Sequence, residues 1–134
     1  MDTSVHTITT AVLQLALDAA SLRQTAHGQN IANAGSAGYQ PMQVDFESRL
    51  DAARASLARD GKVAPDSLRD VEPRLESVGR AGRVGHVGGA ADPAVEFDSE
   101  ALKLAQNAVH FQALLRGVSK HLSILGLAAA DGKR

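Results

Sequence analysis

The chain has 134 residues, a net charge of −1 and no cysteine. The missing cysteines exclude disulfide bonds, thiol nucleophiles and cysteine-ligated zinc, and the near-neutral charge gives no reason to expect attraction to nucleic acid or to an anionic membrane. Hydrophobic residues make up 44% of the sequence but aromatic residues only 3%. The length suits one domain, in which a compact enzyme core would be thin.

The first predicted element is a long N-terminal helix over residues 1–34. Apolar or small residues recur there at alternating steps of four and three, which is the spacing of a coiled-coil seam. The segment lacks the basic region and continuous apolar core of a cleaved signal peptide, and no run of 18 apolar residues predicts a membrane span. Its packing residues are expected to be Ile8, Val12, Leu15 and Leu22, with Ala19 and Ala26 on the same stripe.

The sequence NIANAGSAGYQP, residues 30–41, follows that helix and predicts a sharp turn. Asparagine and glycine tolerate a left-handed backbone, so Asn33 or Gly35 is expected to adopt it where the helix ends. Asn30 is expected to hydrogen-bond to exposed carbonyls or to a neighbouring chain. Tyr39 lies beyond the turn, where its ring is available for packing.

A short third helix is predicted within residues 35–57, after the turn. Its apolar stripe contains Phe46, Leu50, Ala53 and Leu57, and Gly61 is placed to end it. Residues 58–96 then form a variable middle segment. Five glycines between Gly79 and Gly89 leave too little apolar surface to offset the entropy of ordering, which predicts a flexible loop. Alternation around Val84 and Val87 permits a weak hairpin if a partner supplies a strand edge.

The last long element is a predicted C-terminal helix over residues 97–129, with a tail at 130–134. Asp98 is a suitable N-cap, and Phe97 and Leu102 are spaced as a hydrophobic staple around it. The seam spacing of four and three residues continues along the whole helix. Its packing residues are expected to be Leu104, Phe111, Leu115, Val118, Leu122 and Leu125, with Phe97, Ala101 and Ala108 on the same stripe.

The predicted fold is therefore mainly α, with long N- and C-terminal helices pairing as a coiled coil or helical bundle. A short middle helix and a flexible glycine-rich loop complete it. Burial along the two seams alone is small compared with the entropy lost in ordering two helices of this length. We therefore expect the terminal helices to need further helices from other subunits against their outer faces.

No residue pattern in the chain predicts catalysis, a cofactor or a metal. The five histidines form no metal-binding spacing, and solvated or packing roles are the better interpretation of them. The glycine-rich sequence GRAGRVGHVGG follows no predicted strand and opens no helix, which argues against a phosphate-binding loop. Without aromatic residues it also lacks stacking platforms for single-stranded nucleic acid.

Two stretches resemble a known family. LRQTAHGQNIANAGSAGYQPMQVDF resembles the N-terminal signature of the flagellar rod, hook and hook-associated axial proteins, in which a helix ends in Asn-Ile-Ala-Asn before a polar residue, Thr-Pro-Gly and an aromatic residue. FDSEALKLAQNAVHFQALLRGVSKHLSIL resembles the family's C-terminal helix, and the short length is similar to that of proximal rod members. Gly35, Ser36 and Ala37 depart from the usual Asp, Thr and Pro. The residues that match the turn motif are Asn30, Ile31, Ala32, Asn33, Gly38 and Tyr39.

The resemblance implies a structural subunit of the flagellar basal body, in the part of the rod that crosses the periplasm. Export would use the flagellar type III machinery, with no cleaved signal peptide. The implied partners are other copies of the chain, other rod proteins, the ring–rod junction protein and the export apparatus. The alternative that remains open from the heptads alone is a cytoplasmic coiled-coil adaptor or regulatory dimer.

Overall fold

The computed structural model describes residues 3–60, 68, 71–78 and 93–131. The fold is mainly helical, and its long N- and C-terminal helices pack against each other beside a short middle helix, which confirms the predicted fold class. The elements in chain order are α1 (Thr3–Ala32), β1 (Met42–Asp45), α2 (Glu47–Asp60), β2 (Arg74–Ser77) and α3 (Pro93–Asp131).

Helices α1 and α3 run antiparallel. His27, near the end of α1, contacts Glu100 near the start of α3. At the other end of the pair, Oγ1 of Thr10 lies 3.3 Å from Nε2 of His121. The helix α3 begins at Pro93, earlier than predicted, because proline lacks an N–H that the first turn would leave unpaired. Asp98 therefore lies inside the helix and is not its N-cap.

The expected hydrophobic staple is also absent from the start of α3. Phe97 and Leu102 both lie within the helix, and both side chains are exposed in the single chain. A staple requires one residue before the cap and one after it, and that geometry is lost once the helix begins at Pro93.

A two-stranded antiparallel sheet was not predicted from the sequence. β1 and β2 pair with Val44 opposite Leu75 and Asp45 opposite Arg74, so opposite charges face each other across the strands. The amide of Val78 continues the pairing by donating to the Pro41 carbonyl at 2.7 Å. The assignment of residues 58–96 to a largely flexible segment was therefore wrong for residues 71–78.

The small hydrophobic core lies between α1 and the middle of the chain. Ala19, Phe46 and Val71 are its buried members. Leu15 and Leu50 are among the half-buried residues that pack on this cluster. The predicted middle-helix stripe thus joins the core through Phe46, Leu50 and Ala53, whereas the side chain of Leu57 is outside the described residues.

The glycine-rich loop predicted at residues 79–89, including the possible hairpin at Val84 and Val87, lies outside the described residues. Across the parts of the chain that are described, no helix combines the length and the apolar character needed to cross a membrane.

Candidate functional site

The side chain of Asn30 joins the end of α1 to β1 and to α3. It is only 4% exposed. Its Nδ2 donates to the Met42 carbonyl at 2.9 Å and to Glu100 Oε2 at 3.0 Å. Its Oδ1 accepts from the Met42 amide at 2.7 Å and from the Tyr39 hydroxyl at 3.0 Å. Both donors and both acceptor positions of the amide are therefore occupied, which is the full capacity of an asparagine side chain.

The turn between α1 and β1 is closed by short backbone contacts. The Asn33 amide and its side-chain Nδ2 both donate to the Gln29 carbonyl, at 3.1 and 2.8 Å, and so cap the end of α1. The amide of Ser36 donates to Asn33 O at 2.9 Å, and the amide of Tyr39 donates to Ser36 O at 3.2 Å. This sequence of contacts brings the Tyr39 ring back to Asn30.

Gly38 supplies the left-handed backbone of this turn. Its φ is +78°, and it is the only described residue with a positive φ. The expectation that Asn33 or Gly35 would adopt this conformation was wrong, since the chain reverses three residues later than Gly35. The glycine of the turn motif is therefore required by backbone geometry, because a Cβ in that region is strained.

Glu100 connects three cationic or polar side chains at the start of α3. Its Oε2 lies 2.7 Å from His27 Nδ1, and its Oε1 accepts from Lys103 Nζ at 2.7 Å. Burial alone would raise the pKa of Glu100, but hydrogen bonds from Lys103, Asn30 and His27 outweigh it and hold that pKa below its ordinary value. Burial and the nearby Glu100 charge together raise the pKa of Tyr39. The folded chain therefore favours a charged Glu100 and a neutral Tyr39.

Asn107 is a second buried amide, farther along the contact between α1 and α3. It is 7% exposed, and its Nδ2 donates to the Ala20 carbonyl at 2.8 Å. Gln24 Oε1 lies 3.4 Å from the same nitrogen. Ala20 is fully buried, and its small side chain gives Asn107 access to the backbone of α1. A buried amide held in this way fixes the register of the two helices.

The residues of α3 that face α1 form a stripe that we call the seam. It keeps the predicted steps of four and three and shares four residues with the prediction, and three of its other four residues are polar. Its hydrogen bonds with α1 are made by Glu100, Asn107 and His121. The buried or half-buried members of the seam are Glu100, Leu104, Asn107, Phe111, Leu114, Val118, His121 and Leu125.

Leu115 and Leu122, two predicted packing residues, do not lie in this seam. They are 45% and 53% exposed in the single chain. They belong to a neighbouring surface of α3, which we call the apolar face, where Leu102 and Val109 are also exposed, by 60% and 69%. The apolar face consists of Ala101, Leu102, Ala105, Ala108, Val109, Leu115 and Leu122.

The predicted packing residues of α1 are partly covered, and one of them belongs to the hydrophobic core. Ile8, Val12, Leu15 and Leu22 are all half-buried. Leu15 packs on the cluster of Ala19, Phe46 and Val71, on the side of the sheet and the middle helix. The hydrogen bonds between α1 and α3 involve Thr10, Ala20, Gln24, His27 and Asn30 on the α1 side.

Four of the six residues of the turn motif have a defined structural role near Asn30. Asn30 and Tyr39 are hydrogen-bonded, Gly38 shapes the turn, and Asn33 caps the helix. Ile31 is half-buried and Ala32 is the exposed last residue of α1.

We call the linked contacts of Asn30 and Glu100 the junction. Sequence reasoning did not predict that Glu100 and His27 take part in it, nor that Asn107 contacts α1. Glu100 and Asn107 are seven residues apart, and Leu114 and His121 continue that spacing, which was the available signal. Comparison of the chain with protein-family models, with curated proteins and with solved structures found no match. The chemistry that the geometry supports is positioning: it orders a turn and locks two helices in register.

Replacing Gly38 with alanine should destabilise the turn. The positive φ costs a residue with a Cβ about 1–2 kcal/mol, and no neighbouring atom lies within 4 Å to add a clash. Gly35→Ala is the matched control, because that position has no positive φ and equal space. Urea unfolding followed by circular dichroism should show the loss for Gly38→Ala alone; equal effects would contradict this account of the turn.

Asn30→Ala should destabilise the fold more than Asn33→Ala. The first change leaves the buried partners of a four-bond amide unmatched and should cost about 2–3 kcal/mol, whereas the second removes one exposed cap bond and should cost about 1 kcal/mol or less. The free energy of unfolding in urea measures both. If both variants lost the same free energy of unfolding, the proposed role of Asn30 in the junction would be ruled out.

Acid should weaken the junction through Glu100. Because its folded-state pKa lies below the ordinary value of 4.5, its contribution is fully present above that pH and is lost as the pH falls through the folded-state pKa. The midpoint of thermal unfolding should therefore fall between about pH 5 and about pH 3 more steeply for the wild type than for Glu100→Gln. If the thermal midpoints of the wild type and Glu100→Gln changed equally with pH, Glu100 would add no pH-dependent stability.

Proposed function

We propose that this chain is a structural subunit of the bacterial flagellar basal-body rod, of the proximal FlgB type, that assembles by helix-on-helix packing. The observation that carries the proposal is the uncovered apolar side chains of α3. Large apolar side chains that remain exposed on a helix surface are a feature of interaction sites in soluble proteins. The large exposed side chains of α3 are Phe97, Leu102, Val109, Leu115, Leu122, Ile124 and Leu127.

The turn motif supports the same proposal. The residues that resemble the axial-protein signature have defined structural roles, since Asn30 joins three elements and Gly38 supplies the left-handed turn. Asn30 ties the end of α1 to the start of α3, so the two terminal helices leave the junction as one paired unit. A paired unit with an apolar outer face suits packing into a helical assembly.

The proposed partners are other copies of this chain, other rod proteins and the ring–rod junction protein. In this proposal the export apparatus passes the chain unfolded through the flagellar type III channel, and the chain folds where it docks in the periplasm-spanning rod. The described hydrophobic core, with only Ala19, Phe46 and Val71 as its buried cluster, is small for helices of this length. A small core is compatible with a chain that must unfold for export and gain stability on assembly.

The alternative function is a cytoplasmic coiled-coil adaptor or regulatory dimer, and it can be separated by unfolding. A dedicated dimer should melt sharply, with a midpoint that rises with protein concentration. A rod subunit isolated from its neighbours should instead unfold over a broad range of temperature, with a midpoint that does not rise with protein concentration. Circular dichroism at several protein concentrations distinguishes the two.

Replacing Leu115 and Leu122 together with aspartate should abolish rod assembly and swimming in the bacterium that encodes the chain. Two buried charges on the apolar face would cost an assembled interface far more than the single chain, where both positions are exposed. Gln106→Asp is the control, because that exposed residue lies outside the apolar face.

Soft-agar motility, isolation of basal bodies and immunoblotting measure the outcome. We expect the double variant to be present in cells at normal amounts but missing from basal bodies, and Gln106→Asp to swim normally. Normal rods and motility in the double variant would overturn the proposal.

A further inference from the structure

The exposed side of α1 has a regular residue pattern that belongs neither to the contact with α3 nor to the hydrophobic core. Its residues follow steps of four and three, and all except half-buried Ala11 are exposed. We call this set the polar stripe of α1. Most of its side chains are small, and Gly28 has open space where a Cβ would be. The stripe consists of Thr7, Ala11, Gln14, Asp18, Ser21, Thr25, Gly28 and Ala32.

The polar stripe of α1 and the apolar face of α3 are complementary in charge. Lys120 lies at the edge of the apolar face, five helical turns after Leu102. Asp18 is the only charged residue in the stripe, and Arg116 lies among the residues of the apolar face. Both side chains are exposed, and neither forms an ion pair with any described residue of its own chain. One acidic side chain on the polar stripe can therefore face one basic side chain of the apolar face.

The side chains of the two surfaces also differ in size, which permits close packing. Leu102, Val109 and Leu115 project from the apolar face, whereas Ser21, Gly28 and Ala32 present little more than backbone. Large side chains on one helix can pack against small residues on another because the backbones then approach closely. Each surface adjoins the α1–α3 seam, so every copy of the chain carries both halves of the contact.

We propose that the apolar face of α3 in one copy docks on the polar stripe of α1 in a second copy, with Arg116 paired to Asp18. This inference rests on the proposed rod function and names the surfaces by which like subunits meet. The contact is heterologous, since it joins two different surfaces. Repeating it therefore extends an open assembly, provided that the rotation between copies does not close a ring.

The size of this contact sets the conditions for its detection. The two surfaces overlap for roughly 20 residues, which is about 30 Å of helix at 1.5 Å per residue. Stable isolated dimers usually bury about 1,200–2,000 Å² in total, and one helix pair of this length lies at or below the lower end of that range. A single contact is therefore weak, and cross-linking at high protein concentration is the suitable measurement.

The chain contains no cysteine, so single cysteines can be introduced without background. Ser21→Cys, one turn beyond Asp18, is mixed with a full-length chain carrying either Gln112→Cys or Ser119→Cys, one turn on each side of Arg116. Reaction with Ser119→Cys reports parallel docking and reaction with Gln112→Cys antiparallel docking, and either supports the proposal. Gln106→Cys, outside the apolar face, is the control and should not react.

Charge reversal tests the role of Arg116. We expect Arg116→Glu in the chain with Gln112→Cys or Ser119→Cys, or Asp18→Lys in the chain with Ser21→Cys, to lower the yield of the mixed cross-link about threefold or more. The two reversals made together, one in each of these two chains, should restore the yield. Predominant Ser119→Cys homodimers, no mixed cross-link at any concentration, or yields that charge reversal leaves unchanged would each overturn the proposed contact.

Rod assembly in cells separates this inference from the proposed function. Loss of rods with Leu115 and Leu122 replaced, but normal rods with Arg116→Glu and no mixed cross-link, would reject the docking surfaces and keep the rod function. Mixed cross-links with charge rescue, in a chain whose deletion leaves rods and swimming intact, would keep the docking surfaces and reject the rod function.

Discussion

The architecture depends on one buried amide. Asn30 lies where a helix ends, a strand begins and a second helix starts, and its four hydrogen bonds hold those elements together. A buried polar group is stabilising only when all of its partners are present, and here the turn at Gly38 brings Tyr39 and Met42 to it. The polar motif is therefore part of the structural core, although its composition looks like that of an ordinary loop.

Beyond this amide, the contact between the two helices contains covered polar residues as well as apolar ones, while several large apolar residues of α3 remain exposed. Within the seam, Glu100, Asn107 and His121 each have a hydrogen-bond partner on α1. One residue farther along, Leu115 and Leu122 remain exposed. Buried polar contacts contribute little net stability but penalise every wrong register, because a shift would leave them unpaired. The seam thus gives specificity within one chain, while Leu102, Val109, Leu115 and Leu122 of the apolar face remain exposed.

The hydrophobic core covers only part of the long helices. Ala19, Phe46 and Val71 secure the middle of α1, and the charged pair of Arg23 with Glu47 lies beside the start of α2. Toward the beginning of α1 and the end of α3, the described contacts are those of the two helices with each other, as at Thr10 and His121. Stability that is concentrated at the junction and sparse at the far end is suited to helices that acquire further neighbours.

The sequence by itself determined the helices, because their apolar spacing and the loop residues between them are local properties of the chain. It also located the turn motif, and the family resemblance directed attention to Asn30 and Tyr39. Only the tertiary structure decided which of two adjacent stripes of α3 meets α1. By apolar content the stripe of Leu115 and Leu122 was the better candidate, but Glu100 and Asn107 find buried partners on α1, and those pairings join residues 73 and 87 positions apart. Strand β2 and buried Val71 were missed for the same reason. Their partners are distant in sequence, so no local residue pattern predicts the strand or the burial.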